Sequence, residues 1–294
     1  MPTIAAGDLD LAYAVAGPDD GPPVLLLHGW PDDASTWDGV APALAAAGRR
    51  VIVPTLRGFG ATRFRDPAAP RTGNSAIHAM DMIALLDAFG IHRFAVVGHD
   101  WGSNIAEALA VGWPDRVERL AMLATPPRLG GMPTPSFEQA QRYWYHWFMA
   151  TARGEEAVRR DPHGFAHVHW VNWAPLGWFD EATFRRVARS FDNPDWIDVT
   201  LHSYRSRWEN APFDPRSEWL EAEIKAATTL SLPALFIKGD EDGVTAPASF
   251  ERVPAKFDGP FELVGLPGVG HFPPREAPDQ VAQLLVDFLV GTRP

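Results

Sequence analysis

VVGHDWGSN, residues 96–104, joins a strand-like apolar run, 94–97, to a helical segment through a turn flanked by Gly98 and Gly102. A strand, a G-x-x-x-G turn and a helix make a sharp elbow that presents its middle residue at the top of a sheet as a nucleophile, and that residue is ordinarily serine. Here it is Asp100. Ser103 is not a substitute, because it falls one residue beyond Gly102 and already inside the helix.

The chain of 294 residues is 46% hydrophobic and 21% charged, enough for one large core with an insertion or for two modest domains. A net charge of −11 argues against nucleic acid or an anionic membrane as partner, since both want a cationic face. The absence of cysteine rules out a disulfide framework, a thiolate nucleophile and a cysteine-based metal site. The N-terminal MPTIAAGDLDLAYAVAG lacks the basic start and unbroken apolar core of a signal sequence, and no stretch approaches the ~20 apolar residues of a membrane span. A soluble cytoplasmic protein is expected.

Short β-rich runs alternate with longer helical patterns, which predicts an α/β architecture with a mostly parallel sheet covered by helices. Strands are expected at 9–16, 24–28, 51–54, 94–97, 120–123, 234–238 and 261–264. The segment 76–89 carries Ile77, Met80, Ile83 and Ala84 at helical spacing and stops at Gly90, and 280–289 reads as a final amphipathic helix. Between 128 and 229 the alternation lapses. RLGGMPTPS opens that segment as a Pro/Gly-rich hinge, and the rest reads as helical. It holds eight of the twelve tryptophans and three of the four tyrosines, more aromatic surface than a connector needs. The expected division is therefore a core formed by 1–127 and 230–294, with 128–229 a helical lid closing an apolar pocket.

An active site of this kind needs an acid and then a histidine, both later in the chain than the nucleophile. PGVGHFPPREAP places His271 between the last expected strand and the last helix. KGDEDGV follows the preceding strand, and Asp242, three residues past Gly239, has the spacing at which such a loop presents its acid, with Asp240 and Glu241 as turn-residue alternatives. An oxyanion hole combines the N–H after the nucleophile, here that of Trp101, with one from the loop behind an early strand. VLLLHGWPDD supplies that loop: His28 and Gly29 end the strand and Trp30 offers the second N–H.

HGWPDDASTWD, VIVPTLRGFGATR, VVGHDWGS and PGVGHFPPREAP together resemble the α/β-hydrolase superfamily, specifically its branch of epoxide hydrolases and haloalkane or haloacetate dehalogenases with an aspartate nucleophile. The resemblance spans the whole chain, more closely in the core than in 128–229. It implies the α/β-hydrolase fold with a lid inserted after the sixth strand, the triad Asp100, Asp242 and His271, and no metal or organic cofactor. One departure is Thr55 in PTLRGFG, where relatives often have aspartate; it lies outside the triad.

The chemistry explains the carboxylate on its own terms. A serine attacking an epoxide or alkyl halide carbon would form an ether that water cannot release, whereas an aspartate forms an ester that a histidine-activated water can cleave. The leaving group remains to be chosen. An epoxide oxygen departs as an alkoxide and needs a proton, which epoxide hydrolases take from lid tyrosines. Tyr204, in HSYRSRW, resembles the second of these; in YWYHWFMA the first falls near His146 or Trp147, with Tyr145 the nearest phenol. The pair His146–Trp147 also resembles the halide-binding His-Trp of haloacetate dehalogenases, and His99 joins Trp147 as a candidate pocket residue. Two features favour the epoxide. Trp30 stands where haloalkane dehalogenases usually carry a polar side chain, and Trp101 and Asn104 stand where haloacetate dehalogenases carry arginines that clamp the substrate carboxylate. The expectation is an epoxide hydrolase turning a small apolar epoxide into a vicinal diol, with a dehalogenase on the same machinery as the alternative. A non-enzymatic receptor is disfavoured by the complete triad, and homodimerisation is left open.

Overall fold

The computed structural model describes residues 1–293. Its strands are β1 (Thr3–Ala6), β2 (Leu9–Ala16), β3 (Pro23–Leu27), β4 (Arg50–Pro54), β5 (Arg63–Phe64), β6 (Phe94–His99), β7 (Val117–Leu123), β8 (Ala234–Gly239) and β9 (Phe261–Leu266). They form one sheet in the order β1-β2-β4-β3-β6-β7-β8-β9, with β5 beside β2. From β4 to β9 every pairing is parallel; β2 is antiparallel to β1, β4 and β5. The mostly parallel sheet is as expected. β1 and β5 are additions to the expected set, and both are too short to carry a pattern of their own: pairing with β2 creates them.

Helices on both faces explain why the central strands are apolar along their whole length. Successive side chains point to opposite faces, so Val24 and Leu26 pack with Leu44 of α1 (Ala41–Ala46) and with Leu285 and Phe288 of α13 (Pro278–Val290). Leu25 and Leu27 face the other way, in the cluster that contains Met82 and Leu85 of α2 (Ser75–Ala88) and Ile105 and Leu109 of α3 (Trp101–Gly112). The stop read at Gly90 is real: its φ is +66°, a backbone conformation that side chains resist.

Between β7 and β8 the chain is helical, as α4 (Phe137–Arg142), α5 (Trp144–Met149), α6 (Ala152–Arg160), α7 (Pro162–Asn172), α8 (Glu181–Ala188), α9 (Trp196–Ser206) and α10 (Glu218–Ala226). The insertion follows the seventh strand, or the sixth when the two-residue β5 is set aside. Four of its helices begin on side chains that accept an otherwise orphaned N–H: Ser136 from Gln139, Thr151 from Gly154, Asp161 from Gly164 and Asp180 from Thr183. α10 packs against α3 and α2, while the aromatic side chains of α5, α7 and α9 continue the cluster that contains Trp30 and Trp101. The remaining helices, α11 (Pro247–Phe250) and α12 (Pro273–Glu276), lie in the loops after β8 and β9. No described helix is long and apolar enough to cross a membrane.

The PTLRGFG loop is fixed from within. Arg57 is fully buried and forms a two-pronged ion pair with Asp81 of α2 at 2.7 Å and 2.7 Å, while its Nη1 also donates to Thr72 O at 2.9 Å. Removing one member of such a pair strands the other charge in the interior. Arg57→Met should therefore destabilise the fold by about 3–5 kcal/mol, read as a lower midpoint in urea unfolding. A loss below about 1 kcal/mol would mean that Asp81 is rescued by protonation or by solvent.

Candidate active site

β6 ends at His99 and α3 starts at Trp101, leaving Asp100 alone in the elbow with φ 53° and ψ −113°. This is backbone that L-residues rarely adopt, at a cost of order 1–3 kcal/mol that the packing around it must offset. Glycine is obligatory on either side. A Cβ on Gly98 would stand 2.0 Å from Gly102 O, and one on Gly102 would stand 2.2 Å from Leu27 O. Ser103 is a brace: its hydroxyl reaches Gly98 O at 2.7 Å and accepts the Leu123 N–H at 3.0 Å.

The Asp100 carboxylate is held at both oxygens. Oδ1 accepts the Trp30 N–H at 2.7 Å, and Thr125 Oγ1 donates to Oδ2 at 3.3 Å. The Trp101 N–H, first in α3, has no acceptor one turn back and adds a second donor at the elbow. Burial alone would raise the Asp100 pKa; His271 and the Trp30 N–H outweigh it and bring it below the usual carboxylate value.

His271 lies between two acids. Its Nδ1 bonds Asp242 Oδ2 at 2.9 Å, and Asp242 is itself fixed by the N–H groups of Val244 (2.7 Å) and Thr245 (2.9 Å) on Oδ1. Nε2 points to Asp100 Oδ2 at 3.4 Å, a contact of opposite charges that falls short of a hydrogen bond and leaves this nitrogen without a partner. Burial would lower the histidine pKa, but Asp242 and Asp100 together push it up to about 10. Of the alternative acids, Asp240 pairs with Lys238 at 2.5 Å and Glu241 is exposed, so Asp242 is the one that meets the ring.

Two tyrosines of the insertion share this space. Tyr204 accepts a hydrogen bond from Trp101 Nε1 at 3.2 Å, and Tyr145 lies 5.3 Å from it, ring centre to ring centre, stacked 5.8 Å over Trp30. Burial, with the Asp100 charge adding to it, holds both phenols well above their ordinary pKa, so both keep their protons.

Three expected residues sit elsewhere in the arrangement. His146 is turned into the insertion, stacked on Tyr143 at 4.3 Å, with Nδ1 accepting from Trp208 Nε1 at 3.1 Å. It borders the ring of Tyr204 without joining Asp100, because one residue along a helix rotates the side chain by about 100°. Trp147 is 37% exposed, bonded through Nε1 to Ala140 O and packed on Trp208, on the wall of a cleft that it shares with Arg207 and Trp208 and that neither Asp100 nor His271 lines. His99 is buried, but its Nε2 bonds the His271 carbonyl at 2.7 Å. It supports the histidine loop.

Main-chain contacts that no motif announces tie the insertion to the loops that carry Asp242 and His271. The carbonyl of Trp173, at the end of α7, accepts the N–H of His271 at 3.0 Å and of Gly243 at 3.1 Å. This approach explains two glycines: a Cβ on Gly243 would lie 2.4 Å from Asn172 O, and one on Gly270 would lie 2.4 Å from Ala174 Cα. Gln139 of α4 grips the same loop, donating to Val244 O and accepting from Ala246 N, each at 2.8 Å. Glycines beside Asp242 and His271 were the only trace of this in the sequence.

The sequence model of the alpha/beta hydrolase fold family matches residues 22–278, and the chain belongs to that family; it is a hydrolase. Epoxide hydrolase A of Mycobacterium tuberculosis is 29% identical over 96% of this chain and 94% of its own length, and the fluoroacetate dehalogenase of a Burkholderia species is 28% identical over 99% and 93%. Among solved structures, a "putative epoxide hydrolase" of Klebsiella pneumoniae subsp. pneumoniae superposes with a TM-score of 0.92 at 39% identity, covering 97% of this chain and 96% of that one.

Proposed function

We propose that this hydrolase opens epoxides, with Asp100 as nucleophile, His271 as base, Asp242 as its orienting acid, Trp30 and Trp101 as oxyanion donors, and 128–229 as the lid over the pocket. The observation that carries the reading is the pairing of an ionised elbow carboxylate with two buried, protonated phenols, Tyr204 and Tyr145, across one aromatic enclosure. A carboxylate facing proton donors suits a substrate whose leaving atom is an oxygen in need of a proton. The relatives named as epoxide hydrolases support the same choice. A haloacid reading lacks its clamp, since Trp101 and Asn104 occupy the arginine positions.

The geometry orders the steps. Oδ1 takes the short 2.7 Å bond from the Trp30 N–H, whereas Oδ2 has only the 3.3 Å contact from Thr125, so Oδ2 attacks the ring carbon. The carbon–oxygen bond breaks, and the oxygen takes its proton from Tyr204 or Tyr145. Ester formation cancels the Asp100 charge, which removes one of the two acids holding His271 protonated. The histidine proton then restores the phenol, and neutral Nε2 is free to take one from water. Hydroxide adds to the Asp100 carbonyl, and the oxyanion on Oδ1 is met by the two N–H groups. Collapse expels the second diol oxygen with the proton of the new carboxyl group, leaving Asp100 ionised and His271 protonated as at the start.

A single turnover in ¹⁸O-water, with enzyme in excess, tests this sequence. The diol should emerge unlabelled, because its new oxygen is Oδ2, and the label should appear in the peptide containing Asp100. Fully labelled diol from the first turnover would mean direct attack by water, with Asp100 only a general base.

A further inference from the structure

A cavity of about 340 Å³ opens beside the nucleophile, within the size range of ligand sites. Thr125, whose hydroxyl reaches Asp100 Oδ2, lines it together with Tyr143, and the hinge stretch Arg128–Pro133 forms one wall. Arg207, Arg252 and Lys256 also line it, and no carboxylate does, in a chain with 37 acidic against 26 basic side chains. Arg128 has an acid within reach, buried Glu107 at 3.9 Å, and is left out of the count. Among the described residues the other three have no acidic partner. Lys256 Nζ donates to Leu129 O at 2.9 Å and Arg252 Nη2 to Ser249 Oγ at 3.2 Å. Arg207 lies with its guanidinium 4.9 Å over the Tyr204 ring and 5.9 Å over that of Trp101.

Cations gathered at one concave surface repel each other, and an anion would offset that repulsion. An arginine stacked on an aromatic face keeps its edge N–H groups available for two-pronged contact with a planar acid. Arg207 closes α9, three positions past Tyr204, so one helix carries both the proton donor and this cation. Resting on the epoxide hydrolase reading, we propose that the substrate is an epoxide on an apolar chain ending in a carboxylate, which Arg207, Arg252 and Lys256 receive. This differs from a haloacid clamp: the cations stand on the insertion side and in the loop after β8, so an apolar spacer separates the acid from the reacting carbon.

The test compares a medium-chain epoxy acid with its methyl ester, identical in the ring and chain. Wild-type kcat/KM should favour the acid by roughly 10- to 100-fold, the value of charge-assisted contacts, and less at high salt. Arg207→Gln and the double variant Arg252→Gln/Lys256→Gln should each bring the acid-to-ester ratio toward one. Reading the ratio within each variant separates anion recognition from any loss of support for Tyr204, which would slow both substrates alike. Binding of the saturated acid of the same length, followed by tryptophan fluorescence, needs no turnover. Diol from both substrates at equal efficiency would overturn the carboxylate site and leave the hydrolase reading standing. No diol from either, with Arg207-dependent binding of the saturated acid, would keep the site and overturn the epoxide chemistry. No diol and no binding would overturn both.

Discussion

His271→Gln should lose steady-state turnover by roughly 10⁴-fold or more and accumulate protein carrying one intact epoxide on Asp100. The substitution separates the two half-reactions. Glutamine can still donate a side-chain N–H to Asp242 Oδ2, which His271 Nδ1 now meets at 2.9 Å, but it cannot take a proton from water. Attack by Oδ2 does not need the histidine as base, because a carboxylate already carries the electron pair it attacks with, and the Trp30 N–H stays on Oδ1 in the variant. The raised pKa of His271 sharpens the expectation: flanked by two carboxylates the ring is protonated at neutral pH, and only the alkylated enzyme, with one of those charges gone, has a base to offer. Mass spectrometry of the intact variant after mixing with substrate should show protein plus substrate, localised to the Asp100 peptide. Unmodified protein at saturating substrate would count decisively against a covalent intermediate.

Tyr204→Phe and Tyr145→Phe should each slow ring opening, and the double variant should fall by roughly 10²- to 10⁴-fold, as expected for loss of the general acid. The double loss should exceed either single one if one phenol stands in for the other, as their 5.3 Å ring separation allows. Phenylalanine keeps the ring contacts with Trp30 and Trp101, so folding should be little changed and the loss should appear in kcat. A halogenated substrate supplies the control, because a departing halide needs polarised N–H groups but no proton. If halide release falls as far as diol formation, the tyrosines shape the pocket and donate nothing. His146→Ala should stay well above the double variant, since the stack on Tyr143 holds that ring away from Asp100.

The elbow, the acid loop and the histidine loop were readable in the chain because each is a local event. Glycine at 98 and 102 is demanded by contacts of 2.0 and 2.2 Å that any side chain would violate, and the order of Asp100, Asp242 and His271 follows from the connectivity of a parallel sheet. The choice among Asp240, Glu241 and Asp242 lay at the edge of what spacing can tell. Folding settles the contact, since only Asp242 is turned inward to the ring nitrogen.

The amino-acid sequence by itself determined the parallel sheet, the helical insertion, the carboxylate at the elbow and the loop that lends the Trp30 N–H, because periodicity, glycine and charge act over a few residues. Only the tertiary structure decided which face of α5 looks at Asp100. One residue of rotation separates Tyr145 from His146, and the stacking of Tyr145 on Trp30, 115 residues earlier in the chain, fixes that rotation. It alone decided the grip of Trp173 on the loops that carry Asp242 and His271 and the gathering of Arg207, Arg252 and Lys256. A carbonyl has no letter in the sequence, and cations from separate segments acquire a common field only when packing brings them to one cavity.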